Sequence, residues 1–248
     1  RSRHAVAEAD ERTIMFFFFM KKKNRRVGSI KNELVAKSRE AALAAVQIFN
    51  NPTFCFKSES YIVLMIIAWT YLLHAYYRQK KIEYRYFEQH GNRRIFDRTK
   101  KGAYKYWELE RCLNEKQSPL DPDTSNNLRF LIGLRHEIEH QMTTRIDDML
   151  SARFQACCLN FNEYIKKLFG NAYGIERHMS FSLQFTGISM EQKGLLDDHP
   201  DLPRNIHSYI EGFDARLSEE EFSSPRYAYR LLFVPKTVNH KGQADRVI

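Results

Sequence analysis

"KSESYIVLMIIAWTYLLHAYYRQKK", residues 57–81, decides the fold, because its 17 residues from Tyr61 to Tyr77 contain no Asp, Glu, Lys or Arg. A run of that length lies at the lower limit of a membrane span, which needs about 20 predominantly apolar residues. Four tyrosines, Thr70 and His74 dilute the run, and the chain has no second one like it. The stretch is therefore expected to be a helix buried on all sides in a helical bundle, with no stable membrane insertion.

Neighbouring segments supply partners for such a helix. "NELVAKSREAALAAVQIF" (32–49) is rich in strong helix formers and is stopped by Asn50, Asn51 and Pro52. Downstream, "SPLDPDTSNN" (118–127) breaks the chain with two prolines and offers Asp123, Thr124 and Ser125 as N-caps. A third helix is expected from about Asn127 to Met142. A fourth should run from Thr143 or Thr144 to Phe169, with an apolar stripe at Ile146, Leu150, Phe154, Cys157, Phe161, Ile165 and Leu168, ended by Gly170.

Between the second and third helices, residues 82–107 alternate aromatic and basic types around "HGN", the pattern of an inserted β-hairpin. Of the net charge of +9, the stretch Arg78–Arg111 carries +6 by itself, eleven Lys and Arg against five Asp and Glu. Such a surface suits a polyanion, and Arg93, Arg94, Lys100 and Lys101 are the expected RNA contacts, although a merely solvated hairpin would have the same composition. Tyr84, Tyr86, Phe96, Tyr104, Tyr106 and Trp107 could stack on RNA bases, or pack the hairpin on its neighbour.

Beyond Gly170 the period changes. Met179, Phe181, Leu183 and Phe185 alternate with polar residues as in a strand, a short helix is expected near Ile206–Leu217, and "RYAYRLLFVP" (226–235) reads as a second strand. The organisation expected is an N-terminal extension over 1–28, a helical domain over 29–170 with its hairpin at about 82–107, and an α+β region over 171–248 that continues past Ile248. "TIMFFFFMKKKNRR" (13–26) has its apolar run before its charges, the reverse of a secretory signal, and residues 1–19 are expected to be upstream sequence. Cys55, Cys112, Cys157 and Cys158 have neither zinc-ribbon nor disulfide-framework spacing, which fits a reducing cytoplasm.

"RHEIEH" (135–140) carries the candidate chemistry and can be parsed in two frames. From His136 it is His-Glu-x-x-His, whose two histidines reach one zinc from a single helix turn. A third ligand is missing, however, since "QMTTRIDDML" (141–150) follows and Glu163 is better explained as exposed charge. From Arg135 it is an arginine, four residues and His140. There Leu128, Leu131, Ile138 and Met142 form an apolar stripe in whose middle Arg135 is expected, and a buried arginine needs an acidic partner or an anionic ligand. Glu139, one turn on, is the local candidate for a structural ion pair. His140 lies about 140° around the helix from Arg135, so a site using both is expected to recruit a second copy.

"KSREAALAAVQIFNNP", "FKSESYIVLMIIAWTYLLHAYY" and "LRFLIGLRHEIEHQM" together resemble the HEPN (higher eukaryotes and prokaryotes nucleotide-binding) superfamily, and within it a prokaryotic family of unknown function. The likeness covers about residues 30–170. It implies a mainly α fold, a HEPN-like four-helix bundle with an inserted β-hairpin and a C-terminal α+β appendage. The activity it implies is metal-independent endoribonuclease cleavage at a site shared by a homodimer. Arg135 and His140 would be catalytic, His136 and Glu139 supporting, and no metal or cofactor would be needed. Phage defence or a toxin system is the setting implied, with a regulatory protein partner. A non-catalytic RNA-binding or assembly module on the same fold stays open, and a zinc metallopeptidase is the remaining alternative.

Overall fold

In the computed structural model, residues 29–51, 53–138, 146–178 and 203–230 are described. The helix formers after Ser29 run as α1 (Ile30–Asn50) and the apolar stretch as α2 (Lys57–Gln79). An antiparallel pair follows, β1 (Phe87–His90) with β2 (Arg93–Phe96), then a short α3 (Leu109–Leu113) that the sequence reading missed. The long helices α4 (Pro122–Ile138) and α5 (Ile146–Phe169) come next, then two 3-10 turns, α6 (Arg204–Asp214) and α7 (Glu219–Ser223). The chain divides into Arg1–Ile30 and Lys31–Ile248, and the second unit holds the core.

One apolar core is shared by α1, α2, α4 and α5. Tyr61, Met65, Trp69, Leu72 and Leu73 of α2 meet Leu128, Phe130, Leu131 and Leu134 of α4 and Phe154, Cys157, Phe161 and Ile165 of α5, all essentially inaccessible to solvent. Each such large side chain stabilises the fold by roughly 1.5–3 kcal/mol through burial. Cys157 and Cys158 serve as small core residues, and burial pushes the Cys157 thiol up to about 12. By length and composition α2 could cross a membrane, yet most of its apolar surface is packed inside the protein. The expectation of burial on all sides needs one correction. Val63 and Ile67, one turn apart, are 39% and 38% exposed, because no described element covers that narrow strip.

A polar group inside such a core needs a partner, since leaving it bare costs about 1–3 kcal/mol. Tyr61 donates to the Phe154 carbonyl at 2.8 Å, Tyr77 to the Cys112 carbonyl at 2.6 Å, and Ser38 of α1 to the Ala68 carbonyl at 2.7 Å. These bonds fix how far each neighbour can slide along α2.

The third long helix starts earlier than its periodicity suggests. Asp121 is the cap, not Asp123, Thr124 or Ser125, with Pro122 at the first helical position where its missing N–H costs nothing. The Asp121 carboxylate accepts from the Thr124 N–H at 2.8 Å, the Thr124 hydroxyl at 2.7 Å and the Tyr164 hydroxyl at 2.7 Å. Partial burial alone would push this carboxyl up. Those three donors and nearby Arg226 outweigh it and hold the group below the ordinary carboxylate range.

The expected helix near Ile206 is α6, and it lies across α4. Ile206 is buried, Tyr209 donates to the Phe130 carbonyl at 2.9 Å, and Phe213 and Tyr227 stack in parallel beside Phe130. Arg153 of α5 lies 4.4 Å from the Phe130 ring and pairs with Asp214. The strand expected over 226–235 is corrected for its described half. Residues 226–230 are turn and irregular backbone, with the Tyr229 N–H bonded to the Ala152 carbonyl at 2.9 Å. The strand expected over 179–186 and the residues 1–28 lie outside the described residues.

Gly133 makes the α4–α6 contact possible, because a methyl group there would overlap the Tyr209 hydroxyl and ring. An exposed helix would gain about 1 kcal/mol from Gly→Ala. Here Gly133→Ala is expected to lower stability by about 1–3 kcal/mol in urea unfolding through overpacking; a stabilised variant would show that Tyr209 does not rest on this helix.

Candidate functional site

The last turn of α4 carries the "RHEIEH" motif as far as Ile138, and Glu139 and His140 lie outside the described residues. Leu134 and Ile138 point into the core, whereas Arg135 and His136 are exposed. The expectation that Arg135 breaks a buried seam is therefore wrong. At about 100° per residue the buried arc centres near Leu131, Leu134 and Ile138, leaving Arg135 at its margin, where solvent reaches it. Arg135 has no ion-pair partner among the described residues. Two cationic or potentially cationic side chains at a helix C-terminus also suit the local dipole.

Glu137, between them and Ile138, is tied down. Its carbonyl and carboxylate both accept from Asn205 Nδ2, at 3.1 and 2.9 Å, so the first turn of α6 holds the end of α4 on one side and leaves the Arg135 side open. Glu163, considered above as a third zinc ligand, is engaged by Arg226 at 2.7 and 2.9 Å. It is a surface ion-pair residue.

The inserted segment is the expected hairpin, with Phe87–His90 paired to Arg93–Phe96. Two isolated bridges, Arg85–Tyr106 and Arg98–Tyr104, bring the following residues back alongside it, so the whole segment runs as a short meander. Phe96, Tyr104 and Trp107 are stacked by arginines of the meander and of α3. Arg85 lies 4.0 Å from the Phe96 ring and 4.8 Å from Tyr104, Arg98 4.0 Å from Tyr104, and Arg111 4.2 Å from Trp107. Each stack contributes about 0.5–1 kcal/mol at the surface and rigidifies the meander. Of the six rings named for base stacking, Tyr84 and Trp107 are buried, and Tyr106 is the most open at 49% exposure.

Arg93, Arg94, Lys100 and Lys101 are all exposed and make no salt bridge among the described residues. The pairing register separates the first two. Arg94 shares a face with Phe87, Gln89 and Phe96, and Arg93 shares the other with Glu88, His90 and Ile95. Lys100 and Lys101 sit in the second turn, closed by the Gly102 N–H to the Thr99 carbonyl.

One basic residue near the meander is strained. The α2 helix ends with Ile82 N–H bonded to the Tyr77 carbonyl and Lys81 N–H to the Arg78 carbonyl, a pattern that puts Lys81 in the left-handed region at φ 60°. Glycine is usual at that position, and a side chain there costs about 1–2 kcal/mol. Strained side chains of this kind cluster at functional sites. Nothing in a sequence marks such a lysine.

A family model described as a domain of unknown function, DUF3644, matches residues 33–217. The chain belongs to the DUF3644 family. No curated protein and no solved structure matches it. The DUF3644 match runs from α1 through α6 without a break, so it takes in the meander, the "RHEIEH" turn and the helix that braces it.

His74, which in the sequence only dilutes an apolar run, anchors the meander to the DUF3644 core. It is buried, stacks on Tyr84 at 4.7 Å and lies 2.8 Å from the Trp107 carbonyl through Nε2. A carbonyl can only accept, so Nε2 carries the proton. Burial disfavours the imidazolium, and despite the Trp107 bond it lowers the pKa to about 4. The folded protein thus keeps His74 neutral where the unfolded chain, with its pKa near 6.5, takes up a proton. Stability from this group is present above about pH 6.5 and is lost as the pH falls toward 4, to a limit of about 3 kcal/mol. Wild type and His74→Gln should converge in urea-unfolding free energy by about 2–3 kcal/mol between pH 7 and 4.5. A constant difference across that window would mean that His74 does not titrate on unfolding.

Proposed function

We propose that this protein is a metal-independent endoribonuclease of the HEPN type, acting as a homodimer whose site combines Arg135 and His140 from two copies. The observation that carries the reading is the exposed Arg135 at the end of a core helix, unpaired among the described residues, with His140 five positions on. An exposed guanidinium can grip a phosphate through paired N–H bonds. Its exposure also suits a site completed by a second copy.

In the reaction, one His140 takes the proton of a ribose 2′-hydroxyl as its oxygen attacks the adjacent phosphorus. Arg135 stabilises the charge that builds on the non-bridging oxygens. The bond from phosphorus to the 5′-oxygen breaks, and that oxygen receives a proton from the other copy's His140. The products are a 2′,3′-cyclic phosphate and a free 5′-hydroxyl. No redox change or metal-bound water enters. His136 and Glu139 are supporting residues, and phage defence or a toxin system is the setting by analogy alone.

A second reading, an RNA-binding module without catalysis, is favoured by the meander, whose exposed cations have no need of a nuclease site. Incubation with single-stranded RNA in excess EDTA separates the two. The wild type is expected to cut, Arg135→Ala and His140→Ala to lose at least about 100-fold in rate, and light scattering to give a dimer. RNA bound but uncut supports the second reading, and cutting restored only by zinc refutes the first.

A further inference from the structure

An open cleft of ≈ 560 Å³ lies at the base of the meander, between the end of α2, the first meander segment and α3. Lys80, Lys81, Arg85, Arg94 and Arg111 line it against two carboxylates, Glu83 and Glu115. Both carboxylates are engaged. Glu83 accepts two bonds from the Arg85 guanidinium, at 2.7 and 2.8 Å, and one from the Arg85 N–H at 3.1 Å, which hold its carboxyl below the ordinary range, and Glu115 faces Arg111 at 3.5 Å. Lys80, Lys81 and Arg94 remain with no salt bridge among the described residues.

Each of the three reaches the cleft from a different structural commitment. Lys80 caps α2, Lys81 occupies the left-handed position after it, and Arg94 is exposed and held 4.9 Å from the Phe87 ring. Such a spread of cations along an open groove differs from an enclosed mononucleotide pocket, where donors converge on one phosphate. A groove that tracks a backbone with separated charges and ring-backed arginines is the arrangement that single strands use.

We propose that this cleft seats the phosphodiester backbone of a single RNA strand, with Lys80, Lys81 and Arg94 as its phosphate contacts. The inference rests on RNA being the substrate. It assigns the strand to one face of the meander and excludes Arg93, which projects from the other. Lys81 then occupies a glycine-favouring position because its charge is needed there.

The test is fluorescence anisotropy with a labelled single-stranded 12-mer RNA in EDTA, using the full chain carrying His140→Ala so that the probe survives. Lys80→Gln/Lys81→Gln/Arg94→Gln is expected to weaken binding at least tenfold. Its plot of log affinity against log salt should be shallower by about two, at roughly 0.7 per lost contact. Arg93→Gln should bind within twofold of its parent. Lys81→Gly should melt no lower than the parent and still bind more weakly, which separates lost contact from lost fold. The proposal is overturned by unchanged binding in the triple variant, by an equal loss in Arg93→Gln, or by displacement with adenosine monophosphate at matched phosphate concentration. Cleavage by the wild type, followed in parallel, keeps the two claims apart. Cation-dependent binding without any cleavage by the wild type sinks the nuclease and leaves the cleft, whereas normal cleavage by the triple substitution made with His140 intact, together with unchanged binding in the His140→Ala background, does the reverse.

Discussion

Three polar side chains buried along α2 each give their one proton to a main-chain carbonyl of another element, Tyr61 to Phe154, His74 to Trp107 and Tyr77 to Cys112. An apolar surface alone would let neighbouring helices settle in several registers, because burial is not directional. A buried hydroxyl or imidazole is satisfied in only one. Tyr61 sets α5 against the first half of α2, and His74 and Tyr77 set the meander's last residue and α3 against the second half. The basic cleft lies between the elements that those last two bonds join.

Long elements were legible wherever composition and punctuation agreed. The helix formers of 32–49 and the uncharged run of 61–77 became α1 and α2, and the alternation of 82–107 became the meander. Errors arose where a local signal depends on what lies opposite. Asp121 was passed over as a cap because Pro122 reads as a breaker, although a proline at the first helical turn starts a helix. Arg135 sits within a stripe on an ideal wheel, yet it falls at the margin of the buried arc and is exposed. Alternating arginines and aromatics fit base stacking and self-stacking equally well, and the meander's strand pairing chose self-stacking for most of its rings. That Arg93 and Arg94 oppose each other followed from strand geometry alone and was readable in advance. The strain at Lys81 was not.

The two candidate regions answer different requirements. The end of α4 offers an exposed guanidinium with no ion-pair partner among the described residues, braced on its other side by the Asn205–Glu137 bonds. The meander offers rigid, separated cations, as a strand-holding surface needs.

Mass analysis of the fragment ends left after digestion of a defined RNA in EDTA tests the central claim most directly. Attack by the ribose 2′-hydroxyl under Arg135 and His140 predicts a 2′,3′-cyclic phosphate on the upstream fragment and a 5′-hydroxyl on the downstream one. A 3′-hydroxyl with a 5′-phosphate, the outcome of attack by water from outside the strand, would contradict it.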